Sequence, residues 1–412
     1  MKVRDFVSRL WVLMLTVFVD MIGFLIVLPL LPFYAEKLGG APTMVGVLIA
    51  AFAFGQVAAA PLWGRLSDRY GRRPMILGGL LIAAAAYVIF ESATAVWLLF
   101  VSRLVQGGGA GTVGVVQAYL SDSVAREDRA KALGWLTVAT SAGVMIGPAI
   151  GSLAKAQGWI GPGYLAAGLC VLNFLFGMIW LPEPLAKRSR EEGKRTAAGA
   201  TRAAMVEVAT RPAGPVGALV WIYSFGMMAF MAMNGVIALY LERVFDVTEN
   251  TIGWFYTYVG GVSLLMRALI LGPVVKRLGE VGTLRLGLLS IAAGLVGFTL
   301  AGDLLQLALA ALFVPVGTAL LFPATTSMVS HRAAEGQTGL MMGVQQSFGG
   351  VARMIGPLWA GAAFQYIGIR SPFYLAAGLV LAVWLFSRVV RDDEPVADPG
   401  ADVEVTVPVE PA

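Results

Sequence analysis

The sequence predicts an all-α integral membrane protein, with twelve transmembrane helices in two six-helix pseudo-symmetric bundles. Three observations carry this. The 412 residues are 58% hydrophobic and 13% charged, with 50 glycines, whereas a soluble globular chain holds about 25% charged residues. Apolar runs of about 20 residues, the length that spans a bilayer, recur along the chain. The two halves also repeat. GYLAAGL at Gly163–Leu169 returns as FYLAAGL at Phe373–Leu379, MIGP at Met145–Pro148 returns at Met354–Pro357, and Gly64-x6-Gly71 returns as Gly272-x6-Gly279, at offsets of 210, 209 and 208 residues. One shared tetrapeptide is noise, but three matches at nearly one offset describe a duplicated bundle. Such a duplication suggests a binding site between the halves, near the bilayer midplane.

In chain order the spans fall near 9–35, 43–64, 74–91, 95–120, 132–154, 162–181, 215–240, 250–271, 284–301, 305–329, 339–363 and 372–390. The start resembles a signal peptide, but its apolar run of about 25 residues is too long and no A-x-A-like site follows, so it reads as the first span. Residues 182–214 carry Lys187, Arg188, Arg190, Lys194, Arg195, Arg202 and Arg211. They read as a cytoplasmic linker, partly helical on the membrane surface, between bundles at 1–181 and 215–390. The acidic, proline-rich tail 391–412 is expected to be disordered.

Cytoplasmic termini put most of the 30 Lys and Arg in cytoplasmic loops. They leave Lys37, Lys155, Arg243 and Arg370 outside, and Arg103, Arg267 and Arg353 within helices. That asymmetry sets the expected orientation in the inner membrane. The net charge of +5 would suit nucleic acid, but the charges sit in short loops, and no nucleic-acid partner is expected. Cys170 lies in an apolar run and His331 in a loop, so neither a disulfide nor a metal site can be argued.

The most charged turn is GRLSDRYGRRPMIL, Gly64–Leu77. Gly64 and Gly71 permit a tight reversal, and Pro74 suits the first turn of the following helix. Other runs stand out: Gly23 with Pro29-x-x-Pro32 in the first span, RLVQG at Arg103–Gly107 in the fourth, YLSDSVAREDRAKALG from Tyr119, and Gly143-x3-Gly147-Pro148-x2-Gly151 in the fifth. Gly64–Leu77 resembles the loop 2–3 motif of the major facilitator superfamily. The set as a whole is most similar to its 12-helix drug:H+ antiporters, of the tetracycline and multidrug efflux kind. The resemblance implies that Asp68 faces the N-terminus of the eleventh helix and that Arg72 pairs with Asp122. Together with Gly64, Gly71 and Arg73 these would form an inner gate that breaks on inward opening. It also implies a leak-blocking role for Gly143, Gly147, Pro148 and Gly151. In the second repeat Lys276 replaces the acid matching Asp68, so that gate is expected to be asymmetric.

An ionisable group in hydrocarbon is by default a functional hypothesis. Asp20 is the acid deepest in a predicted span, about 16 Å from its cytoplasmic edge, and Arg103 lies about 12 Å from the outer end of its own span. They reach similar depth. A carboxyl that meets and loses a cation as a cavity opens acts as a proton switch; a static buried ion pair is the plainer alternative. Arg267 is expected to snorkel; Arg353 lies deeper and reads either as a structural partner of the eleventh span or as a substrate contact, and both arginines stand as structural or coupling residues. Phe225, Met227, Met228, Phe230, Met231 and Asn234 are candidate substrate contacts, though they suit core packing equally well. Gly107, Gly109, Gly111 and Gly114 contain a G-x-G-x-x-G match, but no strand precedes it and dinucleotide binding is excluded.

The expected function is proton-coupled export of amphipathic, drug-like small molecules by alternating access, by a monomer in the bilayer. No G-x4-G-K-[ST] loop for ATP is present, so no cofactor is expected and the proton gradient supplies the energy. A lipid or metabolite exporter and a solute:H+ symporter remain alternatives on the same fold. No Ser/His, Cys/His or metal constellation supports an enzyme, and a scaffold or receptor would leave Asp20 and the two glycine hairpins unexplained.

Overall fold

The computed structural model describes residues 3–123, 129–158, 161–183, 194–334 and 337–391. The acidic tail from 392, Lys187, Arg188 and Arg190 of the linker and part of the segment after Tyr119 lie outside the described residues. The described chain is helical throughout. Its helices are α1 Val3–Val27, α2 Leu31–Lys37, α3 Pro42–Tyr70, α4 Arg72–Glu91, α5 Val96–Ala110, α6 Val113–Ser123, α7 Arg129–Gln157, α8 Pro162–Trp180, α9 Lys194–Thr210, α10 Gly217–Phe245, α11 Ile252–Leu265, α12 Leu271–Leu300, α13 Leu304–Arg332, α14 Thr338–Tyr366 and α15 Ser371–Phe386.

Prolines punctuate rather than end the first apolar stretch. Pro29 opens a 3-10 turn and Pro32 the first turn of α2, where a missing N–H is harmless. Ten helical stretches among the described residues are long and apolar enough to cross a membrane. The sequence reading has twelve, and the difference lies in two places. Residues 252–300 form one stretch of 49 residues, about 74 Å of helix at the usual rise, which a φ of +70° at Gly279 interrupts. The 29-residue α14, interrupted by Arg353 and several glycines, lies outside the ten. In the linker, α9 buries Ala204 and Val208, and the Trp221 indole of α10 donates to the Val208 carbonyl at 3.0 Å.

The reversal between α3 and α4 is tighter than the sequence suggests. Gly71 alone separates the helices, at φ +104°. Gly64 is not part of the turn: it sits inside α3, and a side chain there would meet nothing within 4 Å.

The repeated MIGP segments do the same thing in both halves. The carbonyl of Pro148 in α7 lies against Gly253 at the start of α11, and the carbonyl of Pro357 in α14 lies against Gly46 near the start of α3. A Cβ at either glycine has no room. The two glycines are themselves 207 residues apart, matching the repeat offset. These seams join the first repeat to the second at one end of the molecule. There Lys37 pairs with Glu249 at 2.7 Å, Arg243 with Glu36 at 2.9 Å, and Lys155 approaches Glu249 at 3.8 Å. Ser152 Oγ donates to the Glu249 carbonyl and accepts from the Gly253 N–H, at 3.1 and 2.8 Å. The Thr43 N–H donates to Gln365 at 3.2 Å.

Gly46→Ala and Gly253→Ala should therefore each push the repeats apart at this end. Cysteines replacing Lys37 and Glu249, in a Cys170→Ser background, are expected to cross-link severalfold less in either variant. The same cross-link in Gly64→Ala or Gly272→Ala, where an added methyl meets nothing, should be unchanged.

Candidate functional site

A cavity of about 310 Å³, lined mainly by apolar atoms, is walled almost entirely by helices of the first repeat and borders the second through Met231 and Arg353. Its volume falls in the usual range for small-molecule pockets, about 300–1,000 Å³. Asp20 of α1, Arg103 and Gln106 of α5, and Tyr87 of α4 line it from the first repeat, with Gln56 of α3. Met231 of α10 and Arg353 of α14 line it from the second. The rings of Phe24 and Phe52, 5.0 Å apart, form part of its wall.

The glycine ridge of α7 holds the acidic wall in place. Gly143 packs on Phe18 and Met21, Gly147 on Ile22 and Leu25, and Gly151 on Ile26, so side chains at these glycines would strike the α1 backbone on either side of Asp20. Small residues at such spacing let membrane helices approach closely. One turn before Asp20, the amide of Asn173 in α8 donates to the Thr16 carbonyl at 2.8 Å. The basic wall is held in the same way. Gly107 leaves no room for a Cβ beside the Phe52 carbonyl of α3, and Gly55 of α3 packs on the Leu104 carbonyl. Within the G-x-G-x-x-G match, Gly109 packs on Gly79 and Ile82 and Gly111 on Ala60 and Trp63, while a side chain at Gly114 would meet nothing within 4 Å.

Arg103 is 1% exposed. Its guanidinium lies 5.2 Å from the centroid of the Phe90 ring, a cation–π distance. Its Nε, Nη1 and Nη2 are all buried without a hydrogen-bond acceptor among the described residues, and the same holds for Gln106 Oε1 as a partnerless acceptor. No ion pair within 4.0 Å joins Asp20 to Arg103 or to any other described cation. The two expected proton-coupling residues therefore share one cavity without forming a static pair.

Arg353 lines the cavity and has no ion pair or hydrogen bond among the described residues. Arg267 sits in the π-helical turn Met266–Ile270 and is exposed. Of the six candidates on α10, only Met231 lines the cavity. Phe225 stacks on Trp221 at 5.3 Å along an outer groove, Phe230 meets Phe322, Met227 is buried with Met228 packed nearby, and the Asn234 amide donates back to the Phe230 carbonyl at 2.8 Å.

The α3–α4 turn builds a second polar cluster. Arg72, 3% exposed, pairs with Asp68 at 3.0 Å and Asp122 at 3.1 Å, and donates to Ser67 Oγ at 2.6 Å. These contacts lie within the first repeat. Sequence reasoning missed Glu183, which follows α8. Its carboxylate accepts from the Arg72 and Arg73 backbone N–H groups at 3.0 and 2.9 Å and so sits at the positive end of α4. Arg73 also donates to the Met178 carbonyl. Glu91 does the same at the far end, accepting from the Gly163 N–H of α8 at 2.7 Å and from the Tyr34 hydroxyl at 3.1 Å. For Glu183 the available signal was an acid held between Pro182 and Pro184 at the end of a span; Glu91 has no flanking proline.

The family model for the Major Facilitator Superfamily matches residues 13–317 and again 219–409. Multidrug resistance protein 2 of Bacillus subtilis (strain 168) is 29% identical over 377 residues, 91% of this chain and 92% of that protein. Quinolone resistance protein NorA of Staphylococcus aureus (strain COL) is 28% identical over 91% of this chain and 94% of that one. Tetracycline resistance protein, class B, of Escherichia coli is 27% identical over 82% and 84%. Among solved structures, the nucleoside transporter NupG has a TM-score of 0.80 at 14% identity, covering 93% of this chain and 100% of that one. The human organic anion transporter MFSD10 (TETRAN) has a TM-score of 0.69 at 23% identity, covering 93% and 99%. At such identities these two structures share the fold.

The turn cluster makes a stability prediction. Glu183→Ala should lower the thermal unfolding midpoint of the detergent-solubilised protein, by a loss of about 1 kcal/mol for the helix-terminus contact. Gly71→Ala should cost more. Its Cβ would lie 2.7 Å from Glu183 Oε2, and its positive φ adds about 1–2 kcal/mol. The double variant should lose less than the sum, because removing Glu183 relieves the clash but not the backbone strain.

Proposed function

The chain belongs to the major facilitator superfamily, and from that premise we propose that it is a proton-coupled secondary transporter exporting amphipathic, drug-like small molecules by alternating access. The observation that carries this is the cavity in the first repeat, bordered by Met231 and Arg353 of the second, where Asp20 and Arg103 line a mainly apolar space without pairing with each other. A carboxyl that is free of a fixed cation can exchange its proton as access changes. The names of the multidrug, quinolone and tetracycline resistance relatives support export and a drug-like substrate.

In this reading twelve helices cross the membrane. The break at Gly279 makes the 49-residue stretch two crossings, and α14 crosses with Arg353 turned to the cavity. Bundles at 1–181 and 215–390 are joined by the linker 182–214, and both termini face the cytoplasm, as the loop charges favour. The ion pairs of Glu36, Lys37, Arg243 and Glu249 then close the outer end. Every hydrogen bond and ion pair described above between the repeats lies at that end, so this state is read as inward-facing. The Asp68–Arg72–Asp122 cluster is intact in it. Its contacts within the first repeat hold the α3–α4 turn as a unit, and only a further contact of Asp68 with the α14 N-terminus would open and close. The transporter works as a monomer with protons, bilayer and substrate as its partners, and needs no cofactor.

Proteoliposomes with an imposed pH gradient test the reading, and reversing the gradient separates export from symport. Asp20→Asn should abolish gradient-driven accumulation while keeping substrate binding, because its side chain can no longer exchange a proton. Arg103→Lys should retain partial activity, since it keeps the charge but loses the planar fork. Wild-type accumulation by Asp20→Asn would overturn the assignment of the coupling residue.

A further inference from the structure

A groove of about 430 Å³ runs between Trp221 and Phe225 of α10 and Leu379, Val383 and Phe386 of α15, with Pro212 beside them. Its wall is wholly apolar. The one polar group in these side chains, the Trp221 indole N–H, is taken up by the Val208 carbonyl at 3.0 Å. The groove is shallow in depth along both helices. Phe225 is about 12 Å from the Gly217 start of α10, and Leu379 about 10 Å from the Phe386 end of α15. These are the helix ends that the orientation proposed above turns to the cytoplasm. Arg388 over the Trp384 ring, at 5.3 Å, marks the membrane–water boundary at the same end.

Chain continuity joins this groove to a surface of another kind. Arg211 directly precedes Pro212, and with Arg202 and Glu207 it lines a hollow on α9. Both guanidiniums are exposed and make no ion pair or hydrogen bond among the described residues. The Thr210 hydroxyl beside them already donates to the Val206 and Glu207 carbonyls, at 2.8 and 3.3 Å, so the arginines are the donors the hollow offers. Around it, residues 187–211 hold seven Lys and Arg against three Glu. An apolar groove alone would take any acyl chain, and a cationic hollow alone any anion. Adjoining at the headgroup level, the two match the parts of one molecule.

We infer that Arg202, Arg211 and the α10–α15 groove form a binding site for an anionic glycerophospholipid, with its phosphate on the arginines and one acyl chain along Trp221, Phe225 and Leu379. Basic groups beside a membrane helix on the cytoplasmic side draw anionic lipid. The bound chain covers the indole that ties α9 to α10, so the lipid fastens the linker to the second repeat. The site lies outside the transport cavity, and only the leaflet that supplies the lipid rests on the orientation proposed above.

Native mass spectrometry of the purified, delipidated full-length protein, titrated with one lipid at a time, reads the affinity of the first lipid bound. The probes share dioleoyl chains and differ in headgroup: phosphatidylglycerol, phosphatidylcholine and phosphatidylethanolamine. Phosphatidylglycerol should bind at least about fivefold more tightly than either zwitterionic lipid. Arg202→Gln with Arg211→Gln should remove that preference, and Ala382→Trp, which fills the groove from α15, should weaken phosphatidylglycerol by a similar factor. Lys276→Gln with Arg277→Gln, which removes two exposed cations outside the hollow, should change neither. The inference fails if the three lipids bind alike, if the preference survives loss of Arg202 and Arg211, if the Lys276 and Arg277 pair removes it equally, or if Ala382→Trp leaves binding intact. Equal competition by glycerol 3-phosphate would make the hollow a site for free phosphate and overturn it too. Every substituted side chain is exposed, and should a variant still fail to fold, the ranking on the unmodified protein and the glycerol 3-phosphate competition decide alone. No gradient or transport substrate enters the measurement, so a failure of the transport reading leaves this result standing, and the reverse holds too.

Discussion

Two backbone contacts organise this molecule: the Pro148 carbonyl against Gly253, and the Pro357 carbonyl against Gly46. Each sets the closest approach of one repeat to the other, and each requires that the facing residue have no side chain. The cavity depends on them. The α7 helix that presents Pro148 to the second repeat also presents Gly143, Gly147 and Gly151 to α1, so one helix fixes both the seam and the position of Asp20. The ion pairs of Lys37 and Arg243 gather around this seam. Exposed pairs of that kind contribute about 0–1 kcal/mol each, so they follow from the backbone fit more than they create it.

A second theme is where the protein tolerates charge. Glu183 and Glu91 each meet the backbone N–H groups that a helix start leaves without partners, at opposite ends of the first repeat. These carboxylates are satisfied in place. Arg72 is buried but has two carboxylates and a hydroxyl around it. Asp20, Arg103 and Arg353 differ from all of these: they face the cavity with their hydrogen-bonding groups unmet by the chain. The contrast separates charges that hold the fold from charges kept available.

Much of this was legible in the sequence, for identifiable reasons. Asp20 and Arg103 stood out because hydrocarbon tolerates few charges, and the glycines of α7 because their spacing matches a helix face. The repeat was visible because Pro148 and Pro357 carry the same backbone contact and so sit in the same tetrapeptide. Other features depend on where the second helix lies, which a linear pattern does not encode. Gly64 and Gly71 look alike on paper, yet only Gly71 has a positive φ and a carboxylate pressed against it. The α10 cluster has one face turned to α13 and α14, and only Met231 reaches the cavity. Glu183 acts on residues about 110 positions away. Residues 252–300 read as two spans, and the stretch is broken at Gly279, where φ is +70°; Arg353, for which depth alone left a structural and a substrate-facing role open, lines the cavity.

The paired seams also constrain geometry. Two rigid bodies touching at a single point can turn about any axis through it, but touching at two separate points leaves one axis, the line joining them. The Gly46–Pro357 and Gly253–Pro148 contacts supply two such points, one on each side of the internal symmetry. Duplication of a single half-sized gene would give both at once, each copy bringing one knob and one socket. On that view the hinge line was inherited with the doubling itself, and both sides must stay smooth for it to turn.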